Sequence, residues 1–135
     1  MIKVFYLEYY RVNVVFMLRP SKTEFESLYY RNATRITDAE YKKMHDDAFS
    51  NNKCGGFTEV LDCNDVIMCV KEPYNEDDVA HEILHVANRI LLTRGVTPDF
   101  DNDEPQAYLV SLLTKYYYDY LGELAKQDSE SKQIK

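Results

Sequence analysis

Residues 76–94, "EDDVAHEILHVANRILLTR", constrain the fold more than any other stretch of this chain. Val79, Ile83, Ala87, Ile90 and Leu91 recur at helical spacing and form one apolar stripe. Asn75 stands where an N-cap belongs. Glu76, Asp77 and Asp78 put negative charge in the first turn, where the helix dipole favours it, and Gly95 supplies a C′ stop. A helix of about five turns with a single apolar stripe must bury that stripe against other elements. The chain has 135 residues, enough for one core and not for two.

The flanking sequence supplies those elements. Residues 2–18 are rich in Val, Tyr and Phe and predict one long strand or a hairpin, ended by Pro20. Ser21 with Glu24, and Thr37 with Glu40, each have the capping-box form, predicting helices over about 22–31 and 37–49. "SNNKCGG" (50–56) breaks the pattern. "FTEVLDCNDVIMCV" then predicts a hairpin turning at "DCND", with Val66–Val70 as its second strand. After the loop "VTPDFDND", Asp103 as cap and Gln106 as its N3 partner open a last helix, with Pro105 tolerated in the first turn. It runs through Tyr108, Leu112 and Tyr116 to about Lys126, leaving "QDSESKQIK" as a frayed polar tail. The expected organisation is one α+β domain over 1–126 and a tail over 127–135.

The net charge is −7, from 16 basic and 23 acidic residues, and the basic ones are scattered. An acidic surface repels phosphate backbones, so a nucleic-acid partner is not expected. Lys3, Glu8, Arg11 and Asn13 interrupt the apolar N-terminus, so neither a signal-peptide core nor a membrane span is expected. The default address is then a cytoplasm. Cys54, Cys63 and Cys69 are odd in number and form no CxxC pair, which points to buried reduced thiols. The isolated His45 reads as a surface residue.

Chemistry concentrates at His81-Glu82-Ile83-Leu84-His85. Histidines at i and i+4 lie about 40° apart around a helix and roughly 6 Å along it. Both imidazoles then reach one cation at the roughly 2.0–2.1 Å that zinc requires, and the intervening glutamate lies beside the ion's water. The pattern arises by coincidence in on the order of one chain in a few hundred of this length, so context decides. A catalytic zinc site needs three protein ligands and an open position. Glu104 lies eighteen intervening residues beyond His85, in the first turn of the next helix, where a chain reversal returns its carboxylate toward the imidazoles. The helix dipole alone also accounts for acidic residues there.

On these residues the sequence resembles the zincin metallopeptidases, in the gluzincin branch that joins HExxH to a glutamate of the following helix. It is similar to the small zincin-like proteins of phage and prophage genomes through "VAHEILHVANRIL" and "NDEPQAYLV". The likeness spans about residues 76–121. A metzincin pattern would put Gly at 88 and His at 91, where this chain has Asn88 and Leu91. The resemblance implies a minimal zincin-like domain holding Zn2+ through His81, His85 and Glu104, with Glu82 as general base. It also implies that the strand preceding the metal helix, Val66–Val70, forms the sheet's edge and pairs with an extended substrate. Thermolysin-type members often place an aspartate four residues after the third ligand; Tyr108 stands there, able to donate a hydrogen bond but not to act as a carboxylate partner to an imidazole. Tyr108, or another tyrosine, is the candidate oxyanion stabiliser. An aspzincin-like arrangement, with Asp101 or Asp103 as third ligand, stays open.

Two functions follow as expectations: a zinc peptidase acting on a peptide or protein, or a non-catalytic zincin fold serving as a phage virion or assembly component or a host-factor binder. The stretches "LEYYRV", "SLYYRN" and "KYYYDYLG" serve the second as interface surface, or else are core tyrosines. A fortuitous motif without metal is the third possibility.

Overall fold

The computed structural model describes residues 1–31, 36–50, 55–71 and 75–133. Its elements are β1 (Ile2–Leu7), β2 (Val12–Leu18), α1 (Lys22–Arg31), α2 (Asp38–Phe49), β3 (Gly56–Val60), β4 (Val66–Val70), α3 (Glu76–Thr93) and α4 (Glu104–Gln133). The protein is α+β, with a mixed four-stranded sheet in the order β1-β2-β4-β3. β1 and β2 form an antiparallel hairpin, β2 runs parallel to β4, and β3 pairs antiparallel with β4.

Local chemistry sets the helix ends. Ser21 and Glu24 exchange side-chain-to-backbone bonds of 3.1 Å each way, and Thr37 and Glu40 do the same at 3.0 and 3.2 Å. Each exchange satisfies donors that the first helical turn leaves without partners. Asn75 Oδ1 accepts from the Asp77 amide at 2.9 Å and starts α3. At its other end Gly95 takes φ +72°, its amide bonds to the Leu92 carbonyl and the Val96 amide to that of Leu91. That pair of bonds is a Schellman ending, which needs the left-handed backbone glycine adopts without strain.

The sheet is covered on both faces. Alternate residues Val14, Phe16, Leu18, Val66, Met68 and Val70 meet Ile83, Val86 and Ile90 of α3 and Leu109, Leu113 and Tyr117 of α4. On the other face Val15, Met17, Ile67 and Cys69 meet Phe25 of α1, Met44 of α2, Ile36 and Leu61. Each fully buried aliphatic side chain contributes roughly 1.5–3 kcal/mol. Asp65, in the β3–β4 turn, ties the hairpin to β2 by accepting from the Asn13 amide at 3.0 Å.

Four expectations change. β4 is not the sheet's edge: it bonds to β2 on one side and β3 on the other, and all five of its residues are buried. β3 is the edge on that side. The segment expected as a frayed tail is helical through Gln133, continuous because no glycine or proline after Gly122 interrupts it, and exposed as far as Ser131. Cys63 sits exposed in the β3–β4 turn, whereas Cys69 is buried. His45 is half-buried, its ring 4.9 Å from that of Phe49, 5.7 Å from Tyr41 and 5.8 Å from Phe25. Cys54, most of the 50–56 breaker and the side chains of Tyr29 and Tyr30 lie outside the described residues. Of the other clustered tyrosines, Tyr117 and Tyr120 belong to the core while Tyr9 and Tyr118 are exposed. Among the described residues no helix is long and apolar enough to cross a membrane.

Candidate metal centre

The stripe that anchors α3 fixes where its other side chains go. With Val79, Ile83, Val86, Ala87 and Ile90 buried, His81 and His85 are left on the exposed side of the helix. Their rings converge there. The two Nε2 atoms are 3.1 Å apart, with ring centroids at 4.7 Å and planes at 76°. Two nitrogens bound tetrahedrally to one zinc ion at roughly 2.0–2.1 Å stand about 3.3 Å apart. The imidazole pair therefore fits a shared divalent ion with little adjustment.

Glu82 points to the side, away from the imidazoles. One position on from His81 it turns by about 100° around the helix, to the border between α3 and the sheet. It is 6 % exposed, and its Oε2 accepts from the Thr58 hydroxyl on β3 at 2.5 Å. On the same strand, residue 56 is glycine where β3 pairs closely with β4. A Cβ there would stand 2.5 Å from the Cys69 carbonyl oxygen and 3.4 Å from Glu82 Cγ. Thr58 and Gly56 were not singled out in the sequence. The one trace of Thr58 is its polar side chain at the strand position that alternation turns toward α3.

Glu104 lies exposed in the first turn of α4, and Tyr108 follows it one turn on, 65 % exposed. Both line a cleft formed with the β1–β2 turn. The start of α4 is nevertheless close to the metal helix: Gln106 Nε2 donates to Asn88 Oδ1 at 2.5 Å, and Asn88 is three residues past His85. Gln106, expected as a capping partner for Asp103, thus reaches across to α3. Asp103 carries the helix start through its carbonyl, which accepts from the Ala107 amide at 2.8 Å. Asp101 is exposed, its amide donating to Asp99 Oδ1 at 2.9 Å. Among the described residues no three His, Cys, Asp or Glu side chains are grouped so as to hold a metal. The structure brings His81 and His85 together, sets Glu82 against β3, and leaves Glu104 and Tyr108 on the cleft wall. No protein-family model, curated protein or solved structure matches the chain.

Proposed function

We propose that this chain is a zincin-like, zinc-dependent peptidase. The observation that carries the reading is the pair of exposed imidazole nitrogens, 3.1 Å apart on the face of α3 opposite its core stripe. His81, His85 and Glu104 would hold the ion. Glu104 would come to it from the first turn of α4, which the Asn88–Gln106 bond keeps beside the turn of α3 after His85. Zinc bound there would supply a water of lowered pKa and an electrophile for the scissile carbonyl.

Glu82 is the general base: it takes a proton from the attacking water and returns it to the leaving amine. To do so it exchanges the Thr58 hydroxyl for water. The outer edge of β3 offers backbone groups to an extended peptide, in place of the interior strand β4. Tyr108 is the candidate donor to the oxyanion. The test is the Glu82→Gln variant on a mixture of unstructured peptides. The expected result is no hydrolysis with zinc still bound one to one by elemental analysis; retained hydrolysis would rule out this base.

A second reading, a metal-binding but non-catalytic zincin fold in a phage virion, assembly or host-binding role, is favoured by Glu82 being bonded to Thr58. Stoichiometric zinc without hydrolysis of any peptide would select it.

A further inference from the structure

The β1–β2 turn and the first half of α4 enclose a cleft of about 810 Å³, within the roughly 300–1,000 Å³ usual for ligand sites. Its lining includes four phenol rings, from Tyr9, Tyr10, Tyr108 and Tyr116, and its two charged side chains are both carboxylates, Glu8 and Glu104. The walls are braced from behind. Tyr116 stacks on Phe5 with centroids 4.8 Å apart and planes at 1°. Arg94, at the end of α3, donates through Nε to the Tyr10 carbonyl at 2.7 Å and through its terminal nitrogen to the carbonyls of Tyr10 and Arg11. The guanidinium is thus spent on backbone and holds the turn that carries Tyr9 and Tyr10. Burial, and then the neighbouring Tyr9 and Tyr108 phenols, push the Tyr10 hydroxyl above its ordinary pKa.

We propose that this cleft binds an organic cation, an ammonium or guanidinium group on an apolar stem. Aromatic faces attract such a cation through their quadrupole. The two carboxylates outweigh the roughly half a positive charge at the start of α4. Leu7 and Leu112 receive the stem. An anion would face two carboxylates with no cation in the lining, and a neutral apolar ligand would leave both carboxylates without a counter-charge. The proposal does not rest on the metal reading: with Glu104 drawn to an ion, Glu8 and the rings still define the site.

The test is a titration of the full chain in EDTA, following tyrosine ring signals by NMR. The probes are N-acetyl-arginine amide, N-acetyl-lysine amide, choline and the neutral N-acetyl-norleucine amide. Saturable shifts of Tyr9, Tyr10, Tyr108 and Tyr116 are expected from the cations. The norleucine compound should bind at least about fivefold more weakly. Glu8→Gln should weaken cation binding about fivefold and Tyr9→Ala about threefold; both side chains are exposed, so the fold is kept. Tighter binding of the capped amino acids than of choline would identify a basic peptide side chain as the source, and the reverse a free quaternary ammonium compound. Equal binding of the norleucine compound, affinities unchanged in both variants, or no saturable shift by about 20 mM would overturn the proposal.

Discussion

Thr58→Val keeps the shape and β-branching of the side chain and removes one hydroxyl, which isolates the contact that fixes Glu82. That hydroxyl lies 2.5 Å from Glu82 Oε2, and Glu82 is 6 % exposed. A hydrogen bond to a charged group contributes about 1.5–3 kcal/mol, and a buried acceptor deprived of its donor loses it in full. The expected destabilisation is about 2 kcal/mol. With a urea m-value of about 1–3 kcal/mol/M for a domain of this size, the midpoint falls by about 1 M. In a Glu82→Gln background the bond joins neutral groups and is about half as strong, so the same substitution should destabilise by only about 1 kcal/mol. Thr58→Ser, which restores the donor, should unfold close to the parent. Equal urea midpoints for Thr58→Val and the parent, or equal losses in the two backgrounds, would refute a buried carboxylate held by the strand.

Gly56→Ala drives a Cβ to within 2.5 Å of the Cys69 carbonyl oxygen, so the β3 backbone must shift; a loss of about 1–3 kcal/mol in thermal or urea unfolding is expected, and an unaltered midpoint would show that β3 is not tightly apposed. Zinc at about a hundred times its Kd should stabilise the fold by about 2.7 kcal/mol, read as an upward Tm shift that EDTA reverses and that His81→Ala and His85→Ala abolish. No zinc-dependent shift in the parent chain would remove the metal reading. Tyr117 and Tyr120 are both held above the ordinary value of 10.0, chiefly by burial. For groups raised in the folded state, the stabilisation is complete below the unfolded value and is lost as pH climbs through the folded ones. Stability should therefore fall above about pH 10, and Tyr117→Phe should reduce that slope; a flat alkaline profile contradicts the burial.

Which features the sequence disclosed follows from how local their causes are. The two capping boxes, the Asn75 cap and the Gly95 stop are settled within a few residues, and all four stand as expected. The β3–β4 hairpin is likewise local. Strand order is not: β4 becomes interior through parallel pairing with β2, some fifty residues earlier. "VIMCV" did carry a hint, since five consecutive apolar residues suit a strand buried on both faces better than an edge. The imidazole pair was legible because i and i+4 side chains meet by helix geometry alone. The bond from Thr58 to Glu82, the bracing of the β1–β2 turn by Arg94, and the cleft between that turn and α4 join segments 24 to 84 or more residues apart. No local pattern announces such contacts. Two of the rings around His45, Tyr41 and Phe49, stand at i−4 and i+4 on its own helix and were legible on the same rule; only Phe25 arrives from another helix.

On the peptidase reading, folding and chemistry place opposite demands on residue 82. A carboxylate removed from water must be given a donor, and here the donor is an edge-strand hydroxyl. A general base must instead reach water beside the imidazoles. β3 is the element whose position governs both: it has no fully buried residue, bonds to a single neighbouring strand, and carries the Thr58 hydroxyl that meets Glu82. A small displacement of β3 would release Glu82 and at the same time change the edge on which a peptide could pair. On the peptidase reading, then, arrival of an extended substrate and access of the base to water are coupled through one strand. On the non-catalytic reading the same bond is a structural latch, and the strand stays closed.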